Sequence, residues 1–347
     1  MKIRKNSRRH TIFLPLCLIT GSLLVQIDAQ ERPRILYSDL RRKQEKKDQQ
    51  KKNDRGQEES GLETIKIPTE MVQLDVSVTD KDNNPVTTLG KYDFTVFEDK
   101  VKQVIESVNY QNVPLSMGIA IDTSGSMRTK YFTVKDAAKI LIKELRFTDE
   151  CFISQFKLEA ELIQSFTNDK RRLLESLEDI YIGGGTSLLD AIIATTDYAH
   201  EKGARRRKAI IMISDGLEKN SANKEKQVLQ AVKENEVQLY LIGFIDKDEN
   251  KSFFSFSVNK RAKRLLQRLA DESGGRAFFP EAIGDMPAIA ARISAELRSQ
   301  YAVNYYPLND KRDGTYRSVQ VMVSSKDNRK LIARTRDGYY ARSSSEQ

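Results

Sequence analysis

The 347 residues include no tryptophan, two cysteines and two histidines. Cys17 and His10 both fall in the first 29 residues, which read as an export signal. Once that segment is removed, Cys151 and His200 remain. One cysteine cannot form an internal disulfide, so the mature fold must stand on its core. A cysteine–histidine metal site is excluded for the same reason. Cys151 lies in the apolar run Cys151-Phe152-Ile153 and reads as a buried small hydrophobe. His200 sits alone near the end of a helical stretch. No Gly-Lys-Ser/Thr ending follows Gly183-Gly184-Gly185, which argues against a nucleotide P-loop. Long apolar runs are scarce too. Residues 11–27 are mainly apolar but are interrupted by Pro15, Thr20, Gly21, Ser22 and Gln26, and are slightly short for a spanning helix.

The start of the chain follows the three-part export pattern. Lys2, Arg4, Lys5, Arg8 and Arg9 give a positive beginning, the apolar stretch follows, and Ala29 offers a small residue for cleavage. Residues 1–29 are therefore expected to be a cleaved signal, with an uncleaved anchor as the alternative. Leu16 before Cys17 is too bulky for a lipoprotein site. The expected location is secreted, periplasmic or cell-surface, with no membrane span after cleavage. The formal net charge is +9, but the excess sits in this signal and in residues 40–55. A nucleic-acid partner is not implied, because the charge is in a tail and not on a folded surface. Residues 30–66 have little to bury and read as a disordered charged linker.

Folded sequence begins near Ile67. Val72, Leu74, Val76 and Val78 alternate with polar residues, the period of a half-buried strand. Asp82-Asn83-Asn84-Pro85 supplies turn chemistry, and further strands are expected at Phe94 to Glu98 and Val101 to Val108. This segment, residues 67–113, has too few strands to stand well alone. At Leu115 the pattern changes. Met117 to Ile121, Ala209 to Ile213 and Leu239 to Ile242 are continuous apolar strands, as in a parallel sheet covered on both faces. Between them, Val134, Ala137, Ala138, Leu141, Ile142 and Leu145 recur at helical spacing. So do Leu188 to Ile193, Val228 to Val232, Leu265 to Leu269 and Ile289 to Leu297. Residues 114–300 thus read as a doubly wound α/β domain with a mainly parallel central sheet and helices on both faces. Strand patterns return in residues 301–341, where Val303, Tyr305, Val319, Val321 and Val323 alternate and need a partner surface. The flanking β segments are expected to pair into one β-sandwich-like module.

Three short stretches carry chemistry. Asp122-Thr123-Ser124-Gly125-Ser126 directly follows the first central strand, Gly183-Gly184-Gly185-Thr186-Ser187 precedes a helix, and Ser214-Asp215-Gly216 follows the next central strand. Ligands of open α/β sheets bind beyond the carboxyl ends of strands where the strand order reverses. Two neighbouring strands ending in Asp122 and Asp215 would place two carboxylates there, and the hydroxyls of Ser124, Ser126 and Thr186 can converge on the same point. Oxygen donors without nitrogen or thiolate describe a hard cation, magnesium or manganese before zinc. A cation held mostly by neutral hydroxyls and water keeps net positive charge and so attracts a further carboxylate. Each stretch alone has a plainer reading, as a capped turn, a flexible loop or a simple Asp-Gly turn.

Together these residues resemble the metal-ion-dependent adhesion site of von Willebrand factor type A domains, over about the central half of the chain. The resemblance implies that Ser124, Ser126 and Thr186 coordinate the ion directly. It implies that Asp122 and Asp215 act largely through water, leaving a position for an acidic side chain of a protein partner. The layout is similar to bacterial secreted proteins that carry such a domain between β segments, and residues 334–340 add a short motif similar to theirs. The expected function is metal-dependent binding or adhesion, without catalysis. A metal-assisted hydrolase is the rival, but no histidine or cysteine base stands by and both aspartates are committed to the ion. An accessory subunit of a separate ATPase complex is a third reading, with no nucleotide bound by this chain.

Two peripheral features complete the reading. Phe253, Phe254 and Phe256 follow the strand ending at Phe244, so their loop should leave the metal-bearing rim. Exposed aromatics there would be a partner contact, with core packing under the loop as the alternative. Arg205-Arg206-Arg207-Lys208 precedes a central strand, at the opposite end of the sheet, and solvation is its expected role.

Overall fold

The computed structural model describes residues 34–35, 70–245, 253–325 and 330–343. The expected signal and most of the expected linker lie outside the described residues. Within the linker, Arg34–Ile35 forms a short strand, β1. The N-terminal β segment contains β2 (Val72–Thr79), β3 (Phe94–Glu98), β4 (Val101–Gln103) and β5 (Ile105–Gln111). The α/β domain follows as β6 (Leu115–Asp122), α1 (Tyr131–Glu144), β7 (Glu150–Phe156), β8 (Ala160–Thr167), α2 (Lys170–Ser176), α3 (Leu188–Lys202) and β9 (Arg207–Ser214). It continues as α4 (Glu225–Asn235), β10 (Gln238–Gly243), α5 (Phe253–Glu272), β11 (Arg276–Phe278) and α6 (Met286–Arg298). The chain closes with β12 (Gln300–Tyr305), β13 (Tyr316–Val323), β14 (Ile332–Arg334) and β15 (Gly338–Tyr340). No described helix is long and apolar enough to cross a membrane.

The central sheet has the order β1-β8-β7-β6-β9-β10-β11. Pairing is parallel from β7 through β11 and antiparallel where β8 meets β7 and β1. All eight residues of β6 are buried. Their alternation feeds two separate layers, because successive strand side chains point to opposite faces. Ile119, Ile121, Ile211 and Ile213 pack with α1, α2 and α6. Ala120, Ile210 and Met212 pack with α3, α4 and α5. Gly118 is required by this density. A Cβ there would lie 2.4 Å from the Phe152 ring and 2.6 Å from Ile210 Cδ1. The chain leaves β6 toward β7 on one side and later returns as β9 on the other. The reversal of strand order therefore falls between β6 and β9, the position at which sheets of this kind bind ligands beyond the carboxyl ends.

The flanking segments do pair. One sheet runs β14-β2-β12-β5 and the other β15-β13-β3-β4, so each mixes strands from both ends of the chain. Leu74, Val76, Phe94, Val96, Tyr301, Val303, Tyr305 and Val319 form their shared core. Inside it Glu98 is 2 % exposed. Its carboxylate accepts hydrogen bonds from Tyr305 Oη at 2.7 Å and Tyr339 Oη at 2.8 Å, and Arg317 stands 3.4 Å away. Neither β segment could cover this core alone.

Two expectations are corrected. The basic run that leads into β9 is not simply solvated, and its Arg207 and Lys208 already belong to the strand. Arg206 makes two hydrogen bonds to Asp75 on β2, and Arg207 is buried, donating to Leu297 O at 3.0 Å and to Asp75 at 3.4 Å. These cations join the β module to the α/β domain because an acidic partner from β2 reaches them. Phe253, Phe254 and Phe256 lie within α5, not in a loop, though their side chains are outside the described residues. Farther along α5, Ala262, Leu266 and Leu269 recur at helical spacing and are buried.

Candidate metal-binding site

Asp122 ends β6 and is fully buried. Its Oδ1 accepts from the Ser124 backbone N–H at 2.9 Å, and its Oδ2 accepts from Ser214 Oγ at 2.7 Å. These two bonds fix the carboxylate plane. Ser124 then opens a 3₁₀ turn, Gly125–Lys130, which brings Ser126 round so that the two hydroxyl oxygens stand 3.0 Å apart. Ser124 is buried and Ser126 exposed, so the pair spans the edge of the crevice.

The loop carrying Thr186 is stitched to this turn by backbone bonds. Gly183 N donates to Thr123 O at 2.9 Å, and Gly125 N donates to Gly184 O at 3.0 Å. Gly184 has φ +84°, a region that glycine enters without the steric cost a Cβ would bring. Thr186 is 2 % exposed. Asp215 follows β9 directly and is 5 % exposed, with Oδ1 accepting from Leu217 N at 3.0 Å. Of the five sequence-predicted donors, Asp122, Ser124 and Ser126 are joined by side-chain hydrogen bonds or close approach. Asp215 is near enough for its charge to act on Asp122. The loop of Thr186 is held to the same turn by its backbone.

Electrostatics gives the site its character. Burial pushes the Asp122 carboxyl up to about 6, the charge of Asp215 adds to the rise, and hydrogen bonds from Ser124 and Ser214 act against it. Among the described residues no ion pair reaches Asp122 or Asp215. A buried carboxylate with a like charge nearby is stabilised by a cation. No group of three histidine, cysteine or carboxylate side chains suited to a metal occurs among the described residues, so hydroxyls must supply much of any donor set here. Serine and threonine oxygens with two carboxylates fit a hard divalent ion such as magnesium or manganese. Two supporting residues escaped the sequence reading. Ser214 was visible as the neighbour of Asp215, at a strand end that faces Asp122. Asn220, which contacts Thr186, carries no sequence signal beyond being polar in a polar loop.

With the geometry in view, a family match settles the domain. Residues 117–218 match the model of the von Willebrand factor type A domain. This part of the chain is a von Willebrand factor type A domain. It contains the turn after β6, the Thr186 loop and Asp215. The chain is also similar to solved structures. One is BatB from Bacteroides thetaiotaomicron, at 20% identity and TM-score 0.41, covering 53% of this chain and 100% of that one. Another is a von Willebrand factor type A protein from Catenulispora acidiphila, at 12% identity and TM-score 0.45, covering 80% of this chain and 75% of that one. A third is the vWF domain of a type V pili tip protein from Porphyromonas gingivalis, at 11% identity and TM-score 0.42, covering 53% and 94%. No curated protein matches the chain.

Proposed function

We propose that the type A domain is a divalent-cation-dependent binding module that captures an acidic group of a protein partner. The observation that carries the reading is the convergence of Ser124 and Ser126 hydroxyls, 3.0 Å apart, on the turn that buries Asp122, with Asp215 close by. In this reading Ser124, Ser126 and Thr186 hold magnesium or manganese, and Asp122 and Asp215 act largely through water. When bound, the cation supplies positive charge that neutral hydroxyls leave uncompensated, and so attracts a partner carboxylate. The residues of this chain orient the donors and keep Asp122 out of bulk water. The one histidine among the described residues, His200, faces the Asn235 carbonyl at the far end of α3. Export through residues 1–29 and work in the cell envelope or outside it complete the proposal.

Calorimetric titration of Mg²⁺ and Mn²⁺ into wild type and Asp122→Ala tests the site. One bound ion in wild type and weakened binding in the variant are expected, and equal binding by both proteins overturns the assignment. A pull-down from the secreting cell, with and without chelator, then reports whether partner capture needs the ion.

A further inference from the structure

Thr186 follows three glycines, the residues that restrict a backbone least. Gly183 and Gly184 are bonded to the turn after β6, but neither bond holds Thr186 itself. Asn220 does so from outside. Its Oδ1 accepts from Thr186 N at 3.2 Å, and its own backbone N–H donates to Thr186 O at 3.0 Å, joined by Lys219 N at 3.3 Å. The two ends of one residue are thereby gripped by another. The approach is close: a Cβ on Gly185 would lie 2.4 Å from Asn220 Oδ1 and 2.8 Å from Leu158 Cδ2. Gly185 is therefore needed for Asn220 to reach Thr186.

The grip is itself braced. Glu218 Oε2 accepts from Leu189 N at 3.0 Å and from Ser221 Oγ at 2.7 Å, and Glu218 Oε1 accepts from Ser221 N at 2.8 Å. Asp190 accepts from Ala222 N at 2.8 Å and from Asn223 N at 3.0 Å. Leu189 and Asp190 lie in the first turn of α3, just beyond Thr186. The circuit runs from Thr186 into α3, from Leu189 across to Glu218 and from Asp190 across to Ala222 and Asn223, and back through Asn220. The same loop begins at Asp215, so Thr186 and Asp215 belong to one braced unit.

We propose that Asn220 is a positioning residue for Thr186, setting where that hydroxyl stands relative to the Ser124–Ser126 pair. This rests on the cation reading of the site, while the grip on the backbone does not. Partners of metal ligands commonly alter metal affinity by 10–100-fold when removed, because a misplaced donor binds less well. Asn220 is exposed, so its replacement leaves the core intact.

The test measures Mn²⁺ affinity in wild type, Asn220→Ala, Thr186→Ala and the double variant. Hydrogen exchange at the Thr186 amide is measured in the metal-free proteins. Asn220→Ala is expected to weaken Mn²⁺ binding about ten-fold. The double variant should bind no more weakly than Thr186→Ala, since Asn220 acts through that hydroxyl. Exchange at Thr186 should accelerate in Asn220→Ala with no change in overall unfolding. Wild-type affinity in Asn220→Ala, or additive losses in the double variant, overturns the proposal. If wild type binds no Mn²⁺, the cation reading fails, and the exchange rate still decides whether Asn220 holds Thr186: unchanged exchange overturns that as well.

Discussion

Asp75 on β2 accepts hydrogen bonds from both terminal nitrogens of Arg206, at 2.9 and 3.1 Å, across a sequence separation of 131 residues. The same carboxylate reaches Arg207, whose side chain is 1 % exposed. Burial pulls the Arg207 pKa below the usual arginine range, and Asp75 opposes that. Asp75→Ala therefore leaves a buried cation without its carboxylate, and a loss of about 3 kcal/mol in urea unfolding is expected. Arg206 is half exposed, and Arg206→Ala should cost under about 1 kcal/mol. Equal effects of the two substitutions would show that Arg207 does not depend on Asp75.

Glu98 offers a second buried test. Glu98→Ala removes the carboxylate facing Arg317 and strands two tyrosine hydroxyls, and a loss of about 3–5 kcal/mol is expected. Tyr305→Phe removes one hydrogen bond to a charged group, worth about 1.5–3 kcal/mol. Chemical denaturation of both variants orders them. A Tyr305→Phe loss as large as that of Glu98→Ala would mean the hydroxyl, and not the carboxylate, anchors the cluster.

Gly118 reports on packing between the central strands. Gly118→Ala places a methyl group against the Phe152 ring and Ile210 Cδ1, both in fully buried side chains. Overpacking of this kind costs about 1–3 kcal/mol. A melting temperature equal to that of wild type would show that the sheet adjusts freely at β6.

A chain ending at Gln300 loses most of β12 and all of β13 to β15. β12 separates β2 from β5, and β13 separates β15 from β3. Hydrogen exchange should then show β2 and β3 losing protection while β6 and β9 keep theirs. Persistent protection of β2 in the shortened chain would mean that the N-terminal segment is stable without its partner strands.

Much of the α/β domain follows from local sequence. The continuous apolar runs of β6, β9 and β10 and the helical spacing of α1, α3, α4 and α6 are imposed by backbone geometry within a few residues. The residues of the candidate site were placed for a related reason: Asp122 and Asp215 sit at the carboxyl ends of central strands, and strand ends are where such sheets bind ligands. The antiparallel edge was not legible, because β8 is only partly buried and shows no clean period. Nor was the short α2. The roles of Arg206, Arg207 and Asn220 depended wholly on tertiary structure. A charge or an amide is assigned a role by its partner, and here the partners are Asp75, Leu297 and Thr186, brought from elsewhere in the chain. Periodicity is a property of neighbouring residues and can be read along the sequence, whereas the pairing of a polar group is a property of distant ones and exists only once the chain has folded.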